Sequence, residues 1–312
     1  MNNSRALVIA LISPLLAAAC VHPPAGGTRR LEYPLLNPSL AAGTVYDFAE
    51  LVPFNHHLAQ AIEGFKRSGK AKHVSVLFRD LENGPTLGLN YEEKFTPASL
   101  LKLPMLMAAL KYSESVPDFL GRKVRFDVPT RTQSYLTGRT LKPGTEYTVE
   151  EVLAALAVHS DNDAFAILRE LVPVGLQDEV YRYFGLVIPE VRSIEDSTTV
   201  REYASFFRVL YNAAYLNKPN SQKALEMLSR SEYKAGLPAG VPAGVVVSHK
   251  YGERFYDSAT KQLHDCGIVY HPERPYVLCV MTRGTDFEQL GGVIRDISKM
   301  AFDEVARTKN PQ

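Results

Sequence analysis

The chain has 312 residues, of which 46% are hydrophobic and 22% are charged, with 20 Gly, 20 Pro, 3 Cys and no Trp. This composition is typical of a globular core and excludes a disordered chain, a collagen-like repeat and a disulfide-dense miniprotein. Lysine and arginine (35) balance aspartate and glutamate (34), and the only basic cluster is the pair Arg29 and Arg30. We therefore expect no nucleic-acid partner, and one or two domains.

The first twenty residues have the pattern of an export signal. One positive charge precedes an apolar run at 6–19 that is too short to span a bilayer, and small residues stand directly before Cys20. This ending resembles the lipobox of bacterial lipoproteins; an ordinary cleaved signal and a core cysteine are the alternatives. The resemblance implies lipid attachment at Cys20 and a membrane-anchored, periplasmic protein of the cell envelope. Val21 favours the outer membrane.

The next segments predict a tether, a helix and a β-hairpin. Residues 20–45 are rich in Pro and Gly without a sustained period, which predicts an extended tether. Alternation over 74–78 predicts a strand, and Asn83 with Gly84 predicts the turn to a partner strand at 86–89. Between tether and strand, apolar residues at three- and four-residue steps predict an amphipathic helix that ends near Gly69: Leu51, Phe54, Leu58, Ile62 and Phe65.

The middle of the chain, about 99–228, has helical patterns. Thr148 with Glu151, and Thr199 with Glu202, have the spacing of a capping box. Strands are predicted again at 245–247, 266–270 and 276–281, and one apolar face predicts a closing helix from residue 290.

This order predicts an α/β (α+β) fold, with a sheet and terminal helices interrupted by an all-α insertion. We assign 1–19 to the signal, 20–45 to the tether and 46–309 to a catalytic domain. Its α/β lobe comprises 46–95 and 236–309, and its all-α lobe comprises 96–235.

Three short motifs carry polar groups suited to catalysis. Ser99 stands near a helix start with Lys102 on the same face, and a lysine kept neutral by burial can activate a serine. Ser160, Asp161 and Asn162 form an elbow between two helices, although they also suit an ordinary helix cap. Lys250, Tyr251 and Gly252 follow a strand, although such a triplet is also common at a solvated strand end.

In this order the three motifs resemble the signature of penicillin-recognising serine enzymes. The chain resembles class A β-lactamases and their serine-hydrolase relatives over about 46–307, which implies the β-lactamase/transpeptidase-like fold with an antiparallel sheet. Four connecting segments are also similar to those of the family: 95–99, 141–144, 196–199 and 236–240.

The resemblance implies a role for each motif residue. Ser99 would attack an amide carbonyl while Lys102 takes its proton, and Ser160 would relay a proton to the departing nitrogen. Asn162 would hold Lys102 and a substrate amide. Lys250 would bind the substrate carboxylate. Substrate contacts are also expected from three neighbouring residues, with the oxyanion between the backbone N–H groups of Ser99 and the last of them: Tyr251, Gly252 and Glu253.

The chain departs from the family at two places. The Glu-x-x-Leu-Asn string that activates the deacylating water is absent, and the segment 185–196 offers only Glu190 and Glu195 as a displaced base. Tyr251 replaces the usual small Thr or Ser. Its phenol would crowd the pocket, swing outward or stack on a larger substrate, and the sequence does not choose among these.

The remaining cysteines and histidines receive simpler interpretations. Cys266 and Cys279 flank the turn at 271–275 symmetrically, so they form either a cross-strand disulfide or two buried thiols. His56, His57 and His264 lack metal-ligand spacing, and we expect neither a metal nor a cofactor.

Three functions remain open at this point. The first is a class A type β-lactamase acting through acyl-Ser99. The second is a D,D-peptidase that acts on peptidoglycan stem peptides and deacylates slowly after β-lactams acylate it. The third is a lipid-anchored scaffold of low activity. In each case we expect a monomer.

Overall fold

A computed structural model describes residues 49–82, 84–130, 133–138, 140–185, 196–257 and 259–308. All of them belong to one unit by their contacts. The predicted signal segment, Cys20 and the tether lie outside the described residues, and so do Glu190 and Glu195. The lipid anchor and the division into lobes stay predictions.

Seven strands are described. They are β1 His73–Asp80, β2 Thr86–Leu89, β3 Lys123–Phe126, β4 Thr145–Thr148, β5 Val247–Phe255, β6 Lys261–Val269 and β7 Tyr276–Gly284. Five of them form one antiparallel sheet in the order β2-β1-β7-β6-β5, and β3 pairs with β4 separately. The strand β5 is therefore an edge of the large sheet.

Eight α-helices are described. They are α1 Val52–Arg67, α2 Lys102–Ser115, α3 Val149–Val158, α4 Asn162–Leu171, α5 Val174–Tyr183, α6 Val200–Tyr211, α7 Lys218–Ser229 and α8 Phe287–Arg307. Each of these helices is too short or too polar to cross a bilayer. The predicted capping boxes are confirmed at α3 and α6, where Thr148 and Thr199 each accept a bond from the backbone three residues on.

The large sheet separates two apolar cores, because successive side chains of a strand point to opposite faces. Phe78 and Val280 pack on one face with residues of α1 and α8. Leu77 and Met281 point to the other face, where helices α2 to α7 cover them. The predicted mixed fold, with an antiparallel sheet and terminal helices around a mainly helical middle, is confirmed.

Some boundaries differ from the sequence predictions. The middle is not entirely helical, because two short strands, β3 and β4, pair antiparallel within it. The strand predicted at 245–247 begins only at Val247 and continues to Phe255. Lys250 and Gly252 therefore lie inside an edge strand and not after its end.

Cys266 and Cys279 form a disulfide between β6 and β7. The two residues are direct partners in the strand register, as the symmetry about the turn predicted, and both are fully buried. Cys266 also pairs with Lys250 of β5 in the register. The disulfide thus lies one strand away from a predicted site residue.

Candidate active site

Ser99 lies in a single 3-10 turn, Ala98–Leu101, that leads directly into α2. Ala98 before it has a φ of 49°, in the left-handed region that a non-glycine residue enters only at a cost. Lys102 opens α2 and is buried, and its Nζ lies 2.8 Å from Ser99 Oγ. The turn therefore holds the serine and the lysine side by side, as their spacing predicted.

The elbow between α3 and α4 acts both as a cap and as part of the cluster. Asp161 Oδ1 caps α4 by accepting from the backbone of Asp163 and Ala164, so this carboxylate is structural. Ser160 has a φ of 57°, and its Oγ accepts from Lys102 Nζ at 3.1 Å. Lys102 Nζ also donates to Asn162 Oδ1 at 2.6 Å.

Strand β5 brings a second lysine to the same serine. Lys250 is 1% exposed, and its Nζ donates to Ser160 Oγ at 2.9 Å and to the carbonyl of Tyr251 at 2.9 Å. Ser160 Oγ thus bridges Lys102 and Lys250. Three segments far apart in sequence, containing five of the predicted residues, meet at one point.

Gly252 explains how β5 comes so close to the Ser99 turn. A Cβ at this position would lie 2.9 Å from the carbonyl oxygen of Pro97 and 3.1 Å from the backbone nitrogen of Leu100. Atoms of real side chains do not pack this tightly against backbone, so only glycine permits the approach.

Burial keeps both lysines short of full protonation. It lowers the pKa of Lys102 to about 8, against the opposing attraction of Asp161 and Glu253. The pKa of Lys250 is held well below its usual range, first by burial and then by the charge of Lys102. Neutral Lys102 has two N–H groups and one lone pair, so it can donate to Asn162 and Ser160 and accept the proton of Ser99.

A cleft of about 470 Å³ opens above this cluster. Besides Ser99, Lys102 and Asn162, it is lined by Ala98, Leu101, Gln133, Tyr135, Phe165, Glu253, Arg254 and Phe255. Residues of the loop 133–138 and of the strand segment 253–255 therefore line the same cleft. The predicted oxyanion role of the Glu253 backbone stays a prediction.

The side chain of Glu253 ties the two walls of the cleft together. Its Oε1 accepts from Ser134 Oγ at 2.8 Å and from the backbone N–H of Leu136 at 3.1 Å, and it also accepts from the N–H of Tyr135. This contact, which we call the Glu253 latch, covers the free edge of β5 with the loop 133–138. The family resemblance implies a role for the backbone of this residue, whereas no sequence pattern points to the role of its carboxylate.

Tyr251 does not line the cleft and is fully buried. Its ring stacks on Tyr233 with centroids 4.4 Å apart, and its hydroxyl hydrogen-bonds with Ser134 Oγ at 2.9 Å and Thr137 Oγ1 at 2.7 Å. Burial raises the pKa of this phenol to about 12, which keeps it neutral. Lys250 Nζ lies 4.3 Å from the centroid of this ring. The geometry therefore gives Tyr251 a packing role beneath the catalytic cluster, without lining the cleft.

A second polar cluster, which no sequence motif predicted, is centred on Asp196, the residue that follows Glu195 in the sequence. Asp196 Oδ1 accepts from Thr96 Oγ1 at 2.8 Å and from Gln262 Nε2 at 3.1 Å, and Arg283 pairs with its other oxygen. These bonds fix Asp196 to the sheet just before the chain reaches α6. No short sequence pattern indicates these hydrogen bonds of Asp196, because its partners are 66 to 100 residues away in the chain.

Comparisons with known proteins identify the family of the chain. The family model described as beta-lactamase enzyme family matches residues 57–305. The chain belongs to this family, which makes it a β-lactamase-like serine hydrolase with the expected β-lactamase/transpeptidase-like fold. No curated protein matches the chain by sequence.

Solved structures with the same fold include both β-lactamases and a penicillin-binding protein. A mutant of PBP-A, in an acyl-enzyme complex with penicillin G, is 21% identical with a TM-score of 0.69 and covers 82% of this chain and 97% of its own. A β-lactamase from Chitinophaga pinensis is 22% identical with a TM-score of 0.69, covering 79% and 98%. The TLA-1 extended-spectrum β-lactamase is 19% identical with a TM-score of 0.70, covering 80% and 99%. At these identities the likeness shows the shared fold.

Proposed function

We propose that the protein is a serine hydrolase of the class A β-lactamase type, which opens the β-lactam amide through an acyl-Ser99 intermediate. The observation that carries this proposal is the contact of Ser99 Oγ with a buried lysine whose pKa is lowered to about 8. A serine hydroxyl becomes a nucleophile only beside a base, and Lys102 is the group in reach.

The proposed acylation follows from the contacts around Lys102. Neutral Lys102 takes the proton of Ser99 as Oγ bonds to the carbonyl carbon, and the carbonyl oxygen becomes an oxyanion. The carbon–nitrogen bond then breaks, and the proton reaches the leaving nitrogen through Ser160, whose Oγ contacts Lys102. Water then hydrolyses the ester and releases Ser99.

A second candidate is a penicillin-binding D,D-peptidase with slow deacylation. Among the described residues that line the cleft, Glu253 is the one that carries a carboxylate. Its Oε1 already accepts three hydrogen bonds from the loop 133–138. Its other oxygen, Oε2, is buried without accessible surface. With one oxygen bonded to the loop and the other shielded from water, Glu253 is disfavoured as the group that activates water. Glu190 and Glu195 stay candidates outside the described residues.

One experiment separates the two candidates. The protein is incubated with a chromogenic cephalosporin while both hydrolysis and intact protein mass are followed. Sustained turnover supports the β-lactamase. A stoichiometric adduct that persists in the wild type and is lost in Ser99→Ala supports the peptidase, and the absence of both contradicts the proposal.

Single Glu190→Gln and Glu195→Gln variants then test the deacylating base. The variant that lacks the base accumulates the acyl-enzyme while forming it at the normal rate. Unchanged deacylation in both variants removes these two residues as candidates.

A further inference from the structure

The middle of the loop 133–138 is held to the rest of the protein through one carboxylate oxygen. Tyr135 and Leu136 donate their backbone N–H groups to Glu253 Oε1, the second at 3.1 Å, and Ser134 Oγ donates to the same oxygen at 2.8 Å. Hydrogen bonds to a charged acceptor are about twice as strong as neutral ones. The position of the middle of the loop therefore depends on the Glu253 latch.

The two ends of the loop have other anchors. Gln133 Nε2 donates to Asp163 Oδ2 of α4 at 2.8 Å, and Thr137 Oγ1 donates to the carbonyl of His159 at the end of α3. Because these contacts do not involve Glu253, loss of the latch would free the middle of the loop while its ends stay in place.

The latch fixes the position of a side chain in the wall of the catalytic cleft. Tyr135 lines this cleft although 68% of the residue is exposed. Its ring contacts those of Phe255 and Phe287, with centroids 5.5 and 5.6 Å away. A ring with so much exposed surface has few packing contacts, so its position follows that of its backbone, which the latch holds.

The size of the cleft makes the position of this wall important for the substrate. Ligand sites range from about 300 to 1,000 Å³, and this cleft measures about 470 Å³. Leu101 and Phe165, which also line it, belong to helical elements, whereas Tyr135 belongs to a loop. A substrate with a large substituent therefore fits best if the loop 133–138 moves.

The predicted oxyanion position lies beside the latch, because it uses the backbone N–H of Glu253 itself. The acyl substituent of a substrate is attached to the scissile carbonyl carbon, and the lining of the cleft continues from Glu253 to Arg254 and Phe255. We therefore expect the acyl substituent to meet the wall that Tyr135 and Phe255 form.

The charge of the same carboxylate acts on both buried lysines. Burial lowers the pKa of Lys102 and of Lys250, and the negative charge of Glu253 opposes this lowering at both. Asp161 acts in the same direction on Lys102, and Asp265 does so on Lys250. Glu253 thus combines a mechanical contact with an electrostatic one.

We propose that Glu253 is a positioning residue that determines which substrates acylate Ser99: its latch holds Tyr135 in the cleft wall and favours substrates with a compact acyl group. Its charge also keeps the neutral fraction of Lys102 lower than an uncharged side chain would. This specificity rests on the proposed function, whereas the hold on the loop does not.

The hold on the loop is tested by amide hydrogen exchange, followed by nuclear magnetic resonance on the 15N-labelled full chain. In Glu253→Ala we expect the amides of Tyr135 and Leu136 to exchange at least about tenfold faster, because their acceptor is lost. Glu253→Gln keeps an amide oxygen as acceptor and loses less protection. The control is Glu146→Ala, which removes an exposed carboxylate of β4. Unchanged exchange in Glu253→Ala overturns the proposal.

The specificity is tested with two penicillins that differ in their acyl group, phenylacetyl or 2-ethoxynaphthoyl. Glu253→Ala is expected to lower the preference for the compact phenylacetyl compound by about tenfold or more, with Glu253→Gln between this variant and the wild type. Intact protein mass after rapid quenching measures acylation of Ser99. A preference that stays unchanged while the Tyr135 amide exchanges faster overturns the proposal.

Tyr135→Ala tests the same wall without changing the carboxylate, and it serves if Glu253→Ala does not fold. The residue is largely exposed, so the substitution removes the ring at little cost to the core. We expect the preference for the phenylacetyl compound to fall as it does in Glu253→Ala. An unchanged preference contradicts the role of this wall.

Glu253→Gln separates the charge from the hydrogen bonds. Without the negative charge, burial lowers the pKa of Lys102 below its value of about 8, so the midpoint of the acylation profile moves to lower pH. The other charged neighbours, Asp161, Asp265 and Lys250, are unchanged. A midpoint that stays or rises contradicts the electrostatic part. If neither penicillin acylates the wild type, the proposed function fails, whereas hydrogen exchange still reports on the latch.

Discussion

The side chains on the two faces of strand β5 have different roles. On one face, Lys250 reaches Ser160 and Gly252 lies against the Ser99 turn. On the other face, His249 pairs with Asp265 at 2.7 Å with both side chains fully buried, and Tyr251 stacks on Tyr233. Polar groups on the first face lie beneath a cleft, whereas His249 and Tyr251 on the second are fully buried in the protein interior.

This difference shows that adjacent residues of one motif have separate duties. Lys250 and Tyr251 are neighbours in sequence, and the two-residue period of a strand starts them on opposite faces. The long Lys250 side chain then bends so that its Nζ lies 4.3 Å from the centroid of the Tyr251 ring. The function of the catalytic face depends on particular chemical groups at particular distances, whereas the role of the other face depends on packing. We therefore expect substitutions on the first face to change acylation, and those on the second to change stability.

The largest effect is expected for Lys102→Met. Removal of the proposed base lowers the rate of Ser99 acylation by about 10²–10⁴-fold, because general base catalysis contributes that much. Stopped-flow mixing with a chromogenic cephalosporin measures the rate. Lys142→Met, which removes an exposed lysine, is the control, and equal rates in both variants contradict the assignment.

Gly252→Ala is expected to rank second. The added Cβ meets the carbonyl of Pro97 at 2.9 Å, which forces β5 away from the Ser99 turn and lowers acylation by about 10²-fold. Gly64→Ala is the matched control, because a Cβ there meets nothing within 4 Å. Wild-type acylation in Gly252→Ala would show that the close approach is dispensable.

The change in acylation rate with pH is expected to be about as large as the effect of Gly252→Ala. Burial lowers the pKa of Lys102 to about 8, so its neutral fraction, and with it acylation, rises about fiftyfold between pH 6 and 8 and then levels off. Single-turnover rates in buffers of constant ionic strength measure this profile. A flat profile over that range rules out Lys102 as the base.

The smallest effect on acylation is expected on the second face of β5. Tyr251→Phe keeps the stacked ring but loses the bonds to Ser134 and Thr137, which lowers the free energy of unfolding by about 1–2 kcal/mol. Acylation stays within a few-fold of wild type. Urea denaturation measures the first quantity, and a large loss of acylation with unchanged stability would reverse the comparison between the faces.

The sequence predicted the parts of the site that have local signatures. Ser99 with Lys102 lies on one helical turn, Ser160 and Asn162 lie at an elbow, and Lys250 lies on a strand; each pattern is visible within a few residues. The resemblance to a known family then brought the three together.

The loop 133–138 and the Glu253 latch were not predictable in the same way. Glu253 and Ser134 are 119 residues apart in the sequence, and no periodicity or spacing predicts a contact over that distance. The buried position of Tyr251 was within reach, since its neighbour Lys250 must face the other way. The strands β3 and β4 were missed because each is only four residues long and their pairing spans a long loop.

The strand order also has a consequence for folding. His73 of β1 pairs with Arg283 of β7, 210 residues later, so the sheet closes only after the ends of the described chain meet. Ser99 and Lys102 lie on the helical side, and Lys250 comes from the sheet. We expect the helices to form early and the contact between Lys250 and Ser160 to form last. The time at which acylation activity appears during refolding should then report when the sheet closes.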